Sequence, residues 1–226
     1  MKMKLRDVVR DFVFGMEDGL VSNLGLVLGV YIGGGGPYAI LLAGLASMFA
    51  GAFSMSAGSY LSAKSQAEVY EQEISSTKRD LEKNPKKCFT DMKKILVDQG
   101  LNAKDVDRLF KSSPKYKHSE FVCNYMVQKK VGISKEKFDL PLKNAAMMFF
   151  SFLVGSSFPI FPFIFLGEKN AAITATILTV CALFFVGWIK TIFTKRSWFK
   201  SGLEIVLIGV GAGVIGYIVG WLFGMF

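Results

Sequence analysis

The chain is poor in the groups that most catalytic chemistry uses. It has one histidine, His118, which sits beside Pro114 and Lys117 in a stretch that reads as a loop. No Ser-His-Asp, Cys-His or HExxH arrangement can be drawn, so no enzyme is expected. Its 3 cysteines, Cys88, Cys123 and Cys181, are scattered and lack CxxC spacing, which excludes a disulfide framework and a structural zinc site and leaves reduced thiols. Charged residues make up only 20% of the chain and are segregated rather than sprinkled. The net charge of +9 comes without a basic stripe interleaved with stacking aromatics, so nucleic acid is not an expected partner. Topology and anionic lipid account better for the basic residues. No small-residue cleavage site follows the basic stretch Met1 to Arg10, which reads as a retained cytosolic end.

Apolar sequence is what the chain has in excess: 51% hydrophobic residues and a mean hydropathy of +0.38. A spanning helix needs roughly 20 mainly apolar residues. Five segments qualify: about Phe12 to Ile32, Tyr38 to Leu61, Asn144 to Leu166, Ala171 to Lys190 and Gly202 to Phe226. Lys2, Lys4, Arg6 and Arg10 precede the first, the insert Ala63 to Leu140 between the second and third carries seventeen Lys/Arg, and Lys190, Lys195, Arg196 and Lys200 lie around the connection of the last two. The other side receives only GGGGP, GEKN and an uncharged carboxyl end, so the positive-inside rule puts the amino terminus in the cytosol and the carboxyl terminus in a lumen or outside. The expectation is an all-α, multi-pass integral membrane protein with five transmembrane helices and a cytosolic helical insert between helices two and three. Residues 1–63 carry the first two spans, 64–140 the insert and 141–226 the last three.

The chain is organised around Asp11 to Gln66. Gly33 to Pro37 is a turn, making the first two spans an antiparallel hairpin with Asp18 and Met55 in the cytosolic halves. Asp11, Asp18, Ser22, Gly25 and Gly29 recur on one face of the first span, and Ser47, Gly51, Ser54, Met55 and Gly58 on one face of the second. The glycines and serines read as packing. Asp18 does not: a carboxylate in an apolar run costs several kcal/mol unless it faces a cavity, an ion or a partner. Carboxylate oxygen suits divalent cations, and a thioether adds preference for softer transition ions, although methionine is also an ordinary packing residue.

The insert, Ala63 to Leu140, shows three helical patterns whose acids alternate with bases as on a solvated face, with Met126 and Val127 in its core. Pro159 and Pro162 should kink or break the outer half of the third span. The rows Gly209-Gly213 and Gly216-Gly220-Gly224 in the fifth favour a close helix contact inside or between subunits.

Arg10-Asp11-Phe12 followed by Glu17-Asp18-Gly19-Leu20, then GAFSM at Gly51 to Met55 and YLSAKSQAEVYEQE at Tyr60 to Glu73, resembles the vacuolar iron transporter family, also called CCC1-like or nodulin-21-like. The resemblance covers the whole chain. It implies a homodimer that moves Fe2+, and often Mn2+, out of the cytosol in exchange for protons, with the metal as substrate and no cofactor. Its pathway would run between the first helices of two subunits, with Asp18 and Met55 matching the family's ion-binding aspartate and methionine. Asp11 and Glu17 are neighbouring carboxylates for metal or protons.

The chain also departs from the family pattern. Ser47 stands where iron-transporting members have an acid, eight positions before the methionine. Glutamates of the family's metal-binding insert match Thr77, Asp80, Cys88 and Asp91, and a Met-Met-x-x-Glu pattern appears here as Met126, Val127, Gln128, Lys129, Lys130. A cationic Lys130 at a ligand position repels a metal. The insert is therefore expected to bind metal poorly or differently, through Asp80, Asp91, Met126 and Cys88 as a substitute soft ligand. The alternative function is a non-transporting interaction or regulatory protein of the membrane, acting through its basic insert.

Overall fold

The computed structural model describes residues 5–83, 85–112, 125, 129, 141–195 and 197–224. Among them the chain is entirely helical: α1 (Leu5–Ile32), α2 (Pro37–Lys83), α3 (Pro85–Asp98), α4 (Ala103–Ser112), α5 (Pro141–Ile160), α6 (Pro162–Phe165), α7 (Glu168–Thr194) and α8 (Trp198–Phe223). Four stretches among the described residues are long and apolar enough to cross a membrane: Arg10–Ile32, Pro37–Asp80, Glu168–Ile192 and Trp198–Phe223. The all-α expectation therefore holds. The expected third span, Asn144 to Leu166, is instead divided between α5 and α6. Pro162 has no N–H to continue the ladder, so the helix stops at Ile160 and restarts with Pro162 in its first position.

The turn between α1 and α2 ends α1 in a Schellman arrangement. Gly34 takes a left-handed φ of 81° that favours glycine, its N–H donates to Tyr31 O, and the Gly35 N–H donates to Val30 O at 2.9 Å. Pro37 then opens α2 with its ring at a position where no helical N–H is needed.

The chain forms two compact units, one from Met1–Tyr60 with Leu140–Phe226 and the other from Leu61–Asp139. In the first, α1 is the central helix and packs against α5, α7 and α8. The α1–α5 approach is close because glycines line it. A Cβ on Gly15 would meet Ser151 and the Met148 carbonyl, and one on Gly155 would meet the backbone of Met16. The α1–α8 seam follows the same logic, since Gly216 faces the Gly25 carbonyl and Gly220 faces that of Gly29. The glycine rows of the last helix thus make their close contact inside the chain.

From α2, residues Ile40, Gly44, Met48 and Ala52, four apart, turn inward, whereas Leu42, Phe49 and Phe53 are exposed. Outward apolar side chains of this kind, repeated at Leu207, Ile215 and Phe223 on α8, are what a lipid-facing surface requires.

In the second unit Tyr70, Thr77, Met92 and Val106 are buried, and Met92 packs with Leu96 and Tyr125. Lys93 pairs with Asp107 at 2.8 Å, and the Tyr125 hydroxyl donates to Gln99 Oε1.

Candidate metal site

Asp18 belongs to a part of α1 that its own neighbours hold still. Gly15, Met16 and Gly19 are pressed against α5, where a Cβ on Gly19 would run into the Phe152 carbonyl and the Ser156 amide and hydroxyl. One turn on, Asn23 Nδ2 donates to Ser156 Oγ at 2.9 Å and to Gly19 O at 3.3 Å. Asp18 lies at the edge of this clamp and is half-buried, and its main-chain carbonyl accepts from the Ser22 hydroxyl. A carboxylate fixed on a rigid helix yet left partly open can take a cation without first breaking a salt bridge.

The other carboxylates are placed differently. Asp11 is 2% exposed, and its Oδ1 is held by Arg10 Nη2 at 2.9 Å and by Arg10 Nε at 3.0 Å. It is an anchored group. Glu17 is half-buried and lies within electrostatic reach of Lys190 on α7, of the adjacent Asp18 and of Glu204 on α8. Lys190 and Glu204 pair at 3.9 Å. Lys190 stands at the end of the fourth apolar segment and Glu204 at the start of the fifth, and neither is linked to Glu17 by sequence spacing. Their positions flanking the short α7–α8 connection are the signal that could have linked them.

Met55 is half-buried on α2, one turn after Gly51, whose Cβ would strike the Phe152 ring. α1 and α2 pack together toward their turn, where Gly44 lies against Val27, and Asp18 and Met55 lie further along the two helices. Their link runs through α5: Gly19, next to Asp18, abuts the backbone of Phe152, and Gly51 abuts its ring. Ser47, the position of the missing acid, is also half-buried on α2.

Of the insert candidates, Asp80 is exposed on α2 and Asp91 half-buried on α3. Cys88 lies in α3 with its side chain outside the described residues, as is Met126 altogether. Thr77, at one of the family's glutamate positions, is buried. Among the described residues no group of three or more His, Cys, Asp or Glu could hold a metal ion.

The fold and the Asp18 region define a multi-helix integral membrane protein with a half-buried carboxylate on the flank of its central helix. Comparison with known families gives the rest: the model of the VIT family matches residues 9–221, and the chain belongs to that family. It is 31% identical over 216 residues to vacuolar iron transporter 2 of Oryza sativa subsp. japonica, covering 93% of this chain and 85% of the relative. It is 28% identical over 212 residues to vacuolar iron transporter 1 of Eucalyptus grandis, covering 93% and 84%. Protein CCC1 of Saccharomyces cerevisiae matches at 25% over 220 residues, covering 94% of this chain and 68% of that protein. The family resemblance read from the sequence is thereby established, and the two vacuolar iron transporters are named for transport rather than catalysis, in line with the expectation that no enzyme is found here.

Proposed function

We propose that the chain is a proton-coupled transporter that moves Fe2+ or Mn2+ from the cytosol to a lumen or the outside. The metal is cargo rather than cofactor. Family membership across residues 9–221 supports metal transport, and the observation that carries the assignment of the ion site is Asp18, rigidly mounted and half-open on a spanning helix. Five spans complete the proposed topology, with α5 and α6 together forming the third. Trp188 and Trp198 beside Lys190, Lys195 and Lys200 mark the cytosolic interface in this reading, and residues 64–140 form the cytosolic insert.

A half-open carboxylate in lipid needs a partner, and a second copy of α1 across a two-fold axis is the simplest source. The proposed unit is accordingly a homodimer in which Asp18 and Met55 face the ion, Glu17 and Asp11 are secondary carboxylates, and protons return on the same acids. Asp80, Asp91, Cys88 and Met126 contribute at most a weak cytosolic collecting site, in keeping with the buried Thr77 and with Lys129 stacked 5.8 Å over the Tyr125 ring. The test is flux of Fe2+, Mn2+, Co2+, Zn2+ and Ca2+ into proteoliposomes with and without a pH gradient. Fe2+ or Mn2+ uptake coupled to proton counterflow supports the proposal, and absence of any divalent flux under every gradient rejects it.

A further inference from the structure

The interior of the first unit is split by a polar layer. One apolar cluster contains Leu20 and Leu183, and a separate one contains Val27, Ile160 and Ala175. Asn23 lies between Leu20 and Val27 on α1, Ser156 lies one turn before Ile160 on α5, and Thr179 lies midway between Ala175 and Leu183 on α7. The Asn23–Ser156 hydrogen bond puts those two residues level, and α1 and α7 share both clusters, Leu20 with Leu183 and Val27 with Ala175, which puts Thr179 at the same depth. Asn23, Ser156 and Thr179 are each 0% exposed.

Their hydrogen bonding is incomplete in a specific way. The Asn23 amide group spends its two hydrogens on Ser156 Oγ and Gly19 O. Its carbonyl oxygen, Oδ1, is buried without a partner, and so is Thr179 Oγ1. Other hydroxyls on these helices return to their own backbone: Ser151 donates to Met147 O, Thr176 to Ala172 O and Thr191 to Trp188 O. Thr179 does not. A leftover acceptor and a leftover hydroxyl at one depth in an apolar interior call for a small group that both donates and accepts.

We propose that Asn23 and Thr179 bind a water molecule between α1, α5 and α7. All the facing groups are neutral oxygens or an amide, which suits water rather than a metal cation, and a buried water needs two to four polar partners of this kind. The bound water ties α7 to the α1–α5 pair through a chain running from Gly19 O across the Asn23 amide. It is a hydration site on the α5 side of α1, apart from the face that carries Asp18, and it stands whether or not the chain transports metal.

The experiment is water-edited solid-state NMR on the full-length protein in lipid bilayers, with asparagine, leucine and valine side chains labelled. Magnetisation should pass from water to the Asn23 side-chain amide faster than to the methyl groups of Leu24 and Val27 at the same depth. Thr179→Val, which keeps the shape and removes the hydroxyl, should abolish that difference, and Thr179→Ser should retain it. No preferential transfer in the unmodified protein overturns the proposal, as does transfer unchanged by Thr179→Val. Coupling between Asn23→Leu and Thr179→Val in thermal stability, found without the water signal, would mean a direct hydrogen bond and also overturns it.

Discussion

The Cα of Gly19 is set against the carbonyl of Phe152, so closely that a methyl group there would collide with α5 backbone as well as with Ser156. Alanine normally favours a helix over glycine by about 1 kcal/mol. Here overpacking outweighs that gain. Gly19→Ala is expected to lower stability by about 1–3 kcal/mol, the usual range for forcing atoms into a packed interior. Gly58, with open space around its Cα, is the control, and Gly58→Ala should be neutral or slightly stabilising. Thermal unfolding of both variants in detergent makes the comparison; equal melting temperatures would contradict the close α1–α5 contact.

Asp18→Asn keeps the shape of the side chain and removes its charge. If Asp18 holds the ion, transport in proteoliposomes should fall at least about tenfold, equivalent to about 1.4 kcal/mol of lost stabilisation. The variant should still elute at the size of the unmodified protein, because the clamp on α5 is made by Gly15, Met16 and Gly19 rather than by the carboxylate. Asp11→Asn should act differently. Removing the charge that Arg10 engages at 2.9 Å should lower stability before it alters ion selectivity. Retention of full flux by Asp18→Asn would remove the central assignment.

Met55→Leu separates packing from ligation. The two side chains have similar volume, and such swaps usually cost less than about 1.5 kcal/mol, so the variant should fold. Loss of the soft thioether should narrow the preference for Fe2+ over harder divalent ions such as Ca2+ and Mg2+. A competition assay, with each ion titrated against Fe2+ uptake, reads this directly. An unchanged selectivity series would make Met55 a packing residue beside Gly51 and Phe152.

The helical class, the glycine turn at Gly33 to Gly36 and the rupture near Pro159 and Pro162 are legible in the sequence because each depends on local chemistry: apolar periodicity, a left-handed φ and a missing N–H. Two features are not. Sequence spacing groups Asp18 with Gly25 and Gly29 on one face, yet it does not reveal that α8 packs on the glycine end of that face. Likewise Asn23 and Thr179 look like isolated polar residues in apolar runs, and only the packing of α1, α5 and α7 puts them at one depth. Both depend on which helices become neighbours, which a single chain's pattern does not encode.

The α1–α8 seam gives the sharpest structural prediction, because Gly211 and Gly220 lie about two and a half turns apart on opposite faces of α8. Gly220 faces the Gly29 carbonyl with no room for a side chain, whereas Gly211 on the same helix has nothing within 4 Å of a built Cβ. Small residues let membrane helices approach until dispersion and backbone contacts hold them, with no hydrophobic drive from the lipid. Gly220→Leu must therefore push α8 off α1. It should reduce the yield of folded protein and lower the melting temperature by several degrees, consistent with about 1–3 kcal/mol of overpacking. Gly211→Leu adds the same side chain to the same helix on an open side and should leave both unchanged. If the two variants behave alike, the seam does not hold α8 in place, and the position of Asp18 beside an uncovered stretch of α1 loses its structural basis.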